Sequence, residues 1–170
     1  MNTEELRSLQ APLKNKYKEK PESAMVTLKA QGRIGEGVSC KIETGKALAE
    51  AGLHPATGGN GLSVCSGDML LEALAACAGV TLSAVATAIG IKIDEGIVET
   101  EGDLDFRGTL GVSKEVPVGL QNIRLKFVLK TNASEDELST LIRLTERYCV
   151  VFQTLNSPPK ISISQQVTKT

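Results

Sequence analysis

At 170 residues, 41% of them hydrophobic, the chain is long enough to bury one full core and short for two. Its 19 basic and 20 acidic side chains leave a formal charge of −1, so no overall attraction draws it to phosphate backbones or anionic lipid. With 3% aromatics and no Trp it also lacks the stacking platforms of single-strand binders, and neither nucleic acid nor a membrane surface is an expected partner. No basic segment followed by an apolar stretch opens the sequence, which predicts a reducing, cytoplasmic setting without structural disulfides. The four cysteines, at 40, 65, 77 and 149, contain no C-x-x-C pair, and a single histidine completes no zinc set of familiar spacing, so neither metal nor cofactor is expected.

In chain order, residues 1–23 are polar and charged, punctuated by Pro12 and Pro21, and read as a short N-terminal helix or arm before a single domain over 24–170. Val26, Leu28 and Ala30 alternate with polar residues, as do Val38, Cys40 and Ile42, which predicts a hairpin turning near Arg33 to Gly37. A Gly-rich loop with Pro55 runs from Gly52 to Gly61. Ser66 then reads as the N-cap of a long helix reaching Ile89 or Gly90, with Asp68 at the positive end of its dipole.

The 21 residues from Met69 to Ile89 are almost all apolar or small, a length that would span a bilayer. Alanine, Ser and Thr carry little insertion energy and Glu72 sits near one end, so a helix buried on nearly all sides is the better reading, and burial of that kind points to a partner subunit. Val98, Thr100, Gly102, Leu104 and Phe106 alternate with acidic residues, and Ile123, Leu125, Phe127 and Leu129 with basic ones, predicting two antiparallel strands with an acidic row beside a basic row. Ser134 and Glu137 form a capping box, with Leu138, Leu141, Ile142, Tyr148 and Cys149 at helical spacing behind it. A strand-like stretch follows Cys149, and Ile161 and Ile163 read as a last strand.

Two cysteines sit in separate helical contexts. Around Cys77, residues Ala75, Ala76, Ala78 and Gly79 remove bulk beside the sulfur, although an ordinary buried cysteine would look the same. Cys149 ends the second amphipathic helix, where a pairing within disulfide reach of Cys77 is open. A reactive thiol needs a nearby cation or helix N-terminus, and Arg33, between Gly32 and Gly35, is the best candidate cation; a solvated turn arginine is the equal alternative. Cys40 and Cys65 read as core or loop thiols, and His54 as a surface loop histidine.

The run Leu70-Leu71-Glu72-Ala73-Leu74-Ala75-Ala76-Cys77, followed 72 positions later by Tyr148-Cys149 and then by Thr154-Leu155, resembles the OsmC/Ohr family. Gly32-Arg33 resembles that family's catalytic arginine position, and Glu146 to Leu155 its resolving-cysteine motif. The resemblance implies an α+β fold, antiparallel sheets packed around a long Ala-rich central helix, in an intertwined homodimer with active sites at the subunit interface. It implies a cysteine-based peroxidase acting on organic hydroperoxides, with Cys77 as peroxidatic thiolate, Cys149 as resolving thiol and Arg33 as the stabilising cation. A small dithiol or dithiol-bearing protein would be the reductant.

The acidic partner of Arg33 stands differently here, since Cys65-Ser66-Gly67-Asp68 replaces the family's usual Asn-Pro-Glu and places Gly67 at the Glu position. Asp68 and Glu72, one helical turn apart, are the candidate carboxylates. Nine residues turn through roughly 900° and rise about 13 Å, so Asp68 faces away from Cys77 and a salt bridge to Arg33 requires a long reach or the second subunit. Two further readings stand beside the peroxidase. One is a non-catalytic dimer binding an apolar or thiol-containing small molecule, and the other is a cysteine hydrolase using Cys77, His54 and a carboxylate.

Overall fold

A computed structural model describes residues 2–20, 25, 27, 31–34, 39–43 and 48–168, with the side chains of residues 9, 16–18, 31–34, 39–43 and 48–49 outside that description. Helix α1, Thr3–Glu19, runs through Pro12 rather than stopping at it and lies against the long central helix, where the Thr3 hydroxyl donates to the Thr87 carbonyl at 2.8 Å. Three strands follow, β1 Gln31–Ile34, β2 Ser39–Glu43 and β3 Leu48–Gly52, paired antiparallel in that order. Strand β4, Val64–Cys65, joins β3 in parallel, its register setting Ala51 beside Val64.

The expected first hairpin is therefore present, with Ile34 opposite Cys40. Its expected start at Val26, Leu28 and Ala30 and its turn over 35–38 lie outside the described residues. Arg33 is not at the tip but inside β1, opposite Lys41. Strand β3 has no counterpart in the sequence reading.

Helix α2 spans Ser66–Ile89. Its N-cap is Cys65 and not Ser66, which is already the first helical residue, and no side chain caps it. It ends at Gly90, whose φ of 80° is left-handed and whose N–H returns to the Ala86 and Thr87 carbonyls, the geometry that glycine adopts at least cost.

Strands β5, Glu95–Asp103, and β6, Gln121–Lys130, form a separate antiparallel pair. The expected charge rows meet across it: Lys130 with Glu95 at 2.7 Å, Lys126 with Glu99 at 2.8 Å, and Arg124 with Glu101 at 3.0 Å and Asp103 at 2.9 Å. Leu104 and Phe106 do not continue β5. Asp105 accepts from the Arg107 N–H and caps the short helix α3, Phe106–Thr109. There Gly108 is pressed so closely on the Val116 and Pro117 carbonyls that a Cβ would stand 2.8 and 2.7 Å from them.

The capping box forms as expected and opens α4, Glu135–Tyr148; Cys149 ends α4 and starts α5, Val150–Asn156, a helix where the sequence suggested a strand. The core sits where α2 meets α4 and β6: Leu82, Ala86 and Leu141 are buried, with Phe127, Leu129, Leu138 and Ile142 packed around them. Thr100 Oγ1 donates to the Leu71 carbonyl and ties β5 to α2.

Two expectations about burial differ. Tyr148 points outward, with the Arg147 guanidinium 5.5 Å from its ring centroid. Helix α2 buries one stripe, Leu74, Ala78, Leu82 and Ala86, while Ala73, Ala76, Val80 and Ser83 stay exposed in the single chain. The last expected strand is absent as well: residues 161–168 are irregular, and Ile161 and Ile163 are exposed, with no strand among the described residues pairing with them.

Candidate functional site

Cys77 lies halfway along α2, half-buried, between the buried stripe and the exposed one. Cys149 is buried at 1% exposure at the joint between α4 and α5. The packing of α2 against both helices brings the two free thiols close together. The two thiols thus lie close enough to influence each other's ionisation.

Their surroundings push the two thiols in opposite directions. Burial alone would raise Cys77, but the N–H of Val151, the Cys149 thiol, the N–H of Val150 and the Thr81 hydroxyl all donate toward its sulfur, and together they hold it below the ordinary thiol value. Cys149 moves the other way. Burial is the main cause; the N–H of Phe152 and Val151 offset part of it, and the thiol's role as donor to Cys77, with the charge that Cys77 carries, adds to the rise. The site therefore ionises Cys77 first and keeps Cys149 protonated.

Three of these donors were not singled out from the sequence. Thr81 stands at i+4 from Cys77, a spacing that places both on one helical face and was open to detection. The N–H groups of Val150 and Val151 left no residue signature, because any side chain there offers the same backbone donor.

The other expected site residues lie elsewhere. Asp68 and Glu72 are exposed and line a cleft with His54 and Cys65 that does not include Cys77. His54 is occupied locally: its Nδ1 accepts the Ala56 N–H at 3.0 Å, and its ring stacks on Phe106 with centroids 4.8 Å apart. The grouping of Cys77, His54 and a carboxylate that a hydrolase needs is not assembled. The Arg33 and Cys40 side chains lie outside the described residues, and no cluster of metal-ligating side chains occurs among those described.

A family model for OsmC-like proteins matches residues 58–164. The chain belongs to the OsmC-like family. Solved structures agree in fold. An OsmC-like protein from Mycoplasma pneumoniae is 20% identical, with a TM-score of 0.66 over 78% of this chain and 89% of its own. An organic hydroperoxide resistance protein from Elizabethkingia anophelis, with thiocyanate bound, is 17% identical, with a TM-score of 0.63 over 79% and 91%. An organic hydroperoxide resistance protein OsmC from Legionella pneumophila is 16% identical, with a TM-score of 0.56 over 78% and 91%. A comparison with curated protein sequences returns no match. For this OsmC-like chain the structural likenesses establish a mixed fold whose central helix packs on an antiparallel sheet.

Proposed function

We propose that this OsmC-like protein is a cytoplasmic, thiol-dependent peroxidase that reduces organic hydroperoxides. The observation that supports it most is the contact between a Cys77 biased toward thiolate and a Cys149 kept as thiol, since the two half-reactions need those two forms. The Cys77 thiolate attacks the terminal oxygen of ROOH and the O–O bond breaks. The alkoxide leaves as ROH after taking a proton, and Cys77 becomes a sulfenic acid. Cys149 then attacks that sulfur, its proton goes with the departing hydroxyl as water, and a disulfide remains. A dithiol returns both sulfurs to thiols by exchange and is itself oxidised.

In this reading the enzyme is an intertwined homodimer. Arg33 orients the peroxide and steadies the thiolate, with Asp68 or Glu72 as its carboxylate across the subunit boundary, since neither lines a cleft with Cys77 in its own chain. The uncovered apolar face of α2 supports the pairing of two chains.

The experiment is mass mapping of cysteine linkages, without reductant, after adding one equivalent of organic hydroperoxide to the reduced protein. A Cys77 to Cys149 bond, formed faster than with hydrogen peroxide, is expected. No reaction at all would replace the peroxidase with a binding module, and a bond through Cys65 or Cys40 would move the resolving role.

A further inference from the structure

A half-open cleft of about 430 Å³, lined by apolar and polar side chains, lies among the helices that carry the thiol pair without either cysteine in its lining. Leu74 of α2 forms part of its wall, β6 contributes Ile123, Leu125 and Phe127, and α5 adds Phe152 and Leu155. The size falls within the range of small-molecule pockets, roughly 300–1,000 Å³. Asn122, Glu146 and Asn156 line the same space and are exposed, so its polar groups gather on the solvent side. Among the described residues Glu146 takes part in no salt bridge. An apolar floor below one carboxylate and two side-chain amides complements an alkyl chain that ends in a positively charged hydrogen-bond donor. A fatty-acid anion would meet Glu146 as a like charge.

Helix α5 takes part in both places, the cleft and the thiol pair. The N–H groups of Val150 and Val151, in its first turn, donate toward Cys77, while Phe152 and Leu155, three residues apart, line the cavity. No residue of α5 is buried. A short helix with no fully buried residue, beside an open cleft, is one whose position an occupant can fix, because the occupant adds dispersion contacts along its apolar side.

We propose that the cavity binds a small alkyl amine, with its chain against Leu74, Phe152 and Leu155 and its ammonium at Glu146, and that occupancy fixes α5 over Cys77 and speeds reaction of that sulfur. The occupant is an effector and not a substrate, so the inference goes beyond the peroxidase reading. The coupling exists whether or not the protein turns over peroxide.

The test uses the full reduced chain with n-octylamine or octanoate as probe, each below its micelle threshold. Methyl NMR follows Ile123 and Leu155, and mass spectrometry follows the rate of Cys77 alkylation by iodoacetamide. Octylamine is expected to shift both methyl signals and to raise the alkylation rate about fivefold, the lower end of ordinary coupling between sites. Octanoate should do neither. Glu146→Gln, on the exposed rim, should erase the preference for the amine, and Leu155→Trp should abolish binding by filling the space. Equal binding of octanoate, octylamine bound without acceleration, octylamine that competes with hydroperoxide for Cys77, or no binding of octylamine each overturns the proposal. Because alkylation needs no peroxide, a protein that responds to octylamine but leaves hydroperoxide intact would sink the peroxidase reading alone.

Discussion

Cys77 and Cys149 share a contact but not an environment, and the difference has consequences that can be titrated. Cys77 gains donors that stabilise its charged form, so its alkylation midpoint should lie below that of an ordinary thiol, while buried Cys149 should titrate above it. Removing the Cys149 donor with Cys149→Ala takes one stabilising hydrogen bond from the thiolate. The Cys77 midpoint should then move up. A pH series of iodoacetamide labelling read by mass spectrometry measures both, and a Cys77 midpoint unchanged in Cys149→Ala would remove Cys149 from the set of donors. Turnover adds a second readout: Cys77→Ser should abolish peroxide reduction, whereas Cys149→Ser should leave Cys77 stalled as sulfenic or overoxidised acid. Retained reduction without Cys77 would refute its role.

At the scale of elements, the site depends on α4 holding Cys149 against α2. Leu141 carries much of that hold: it is fully buried, packs with Leu82 and Ala86, and lies two turns before Cys149 on α4. Leu141→Ala should cost about 2–5 kcal/mol, the usual range for a buried leucine truncated to alanine, as measured by urea unfolding. A loss below 1 kcal/mol would mean that α4 is held by something else.

Elements with a strong local pattern were legible in the sequence. The β5 and β6 rows alternate with period two and meet through their charges, and the Ser134 and Glu137 box starts α4 where the sequence puts it. What escaped was set by distant partners. Leu48-Ala49-Glu50-Ala51 has no β-branched residue to announce β3; pairing with β2 makes it a strand. Val150-Val151-Phe152 has strand-like composition, yet packing of the chain after Cys149 against α2 and α4 winds it into α5. Ile161 and Ile163 alternate correctly but pair with no strand among the described residues. The site divides in the same way. The two cysteines were visible as residue types, whereas the backbone donors that distinguish them depend on the unforeseen helix.

For the whole molecule, the question is what covers α2. The helix is long and apolar enough to cross a membrane, yet one side packs on β5, α4 and α5, and its other side exposes Ala73, Ala76, Val80 and Ser83, with Val80 at 72% exposure. Small side chains in that row let a second helix approach closely, and Val80 gives it an apolar knob to pack against. If two α2 helices meet there, Val80→Arg places a charge in the contact and should leave a chain of 18.0 kDa in light scattering, while the unaltered protein runs at twice that mass. Val80 is exposed whereas Cys149 is buried on the other side of Cys77, so the cysteine pairing within each chain should survive and the Cys77 to Cys149 bond should still form with peroxide. Its formation should be slower, because in the proposed dimer the carboxylate that holds Arg33 comes from the other chain. A Val80→Arg protein that remains dimeric would place the interface on another face, and a monomer that reacts at full rate would show that each chain completes its own site.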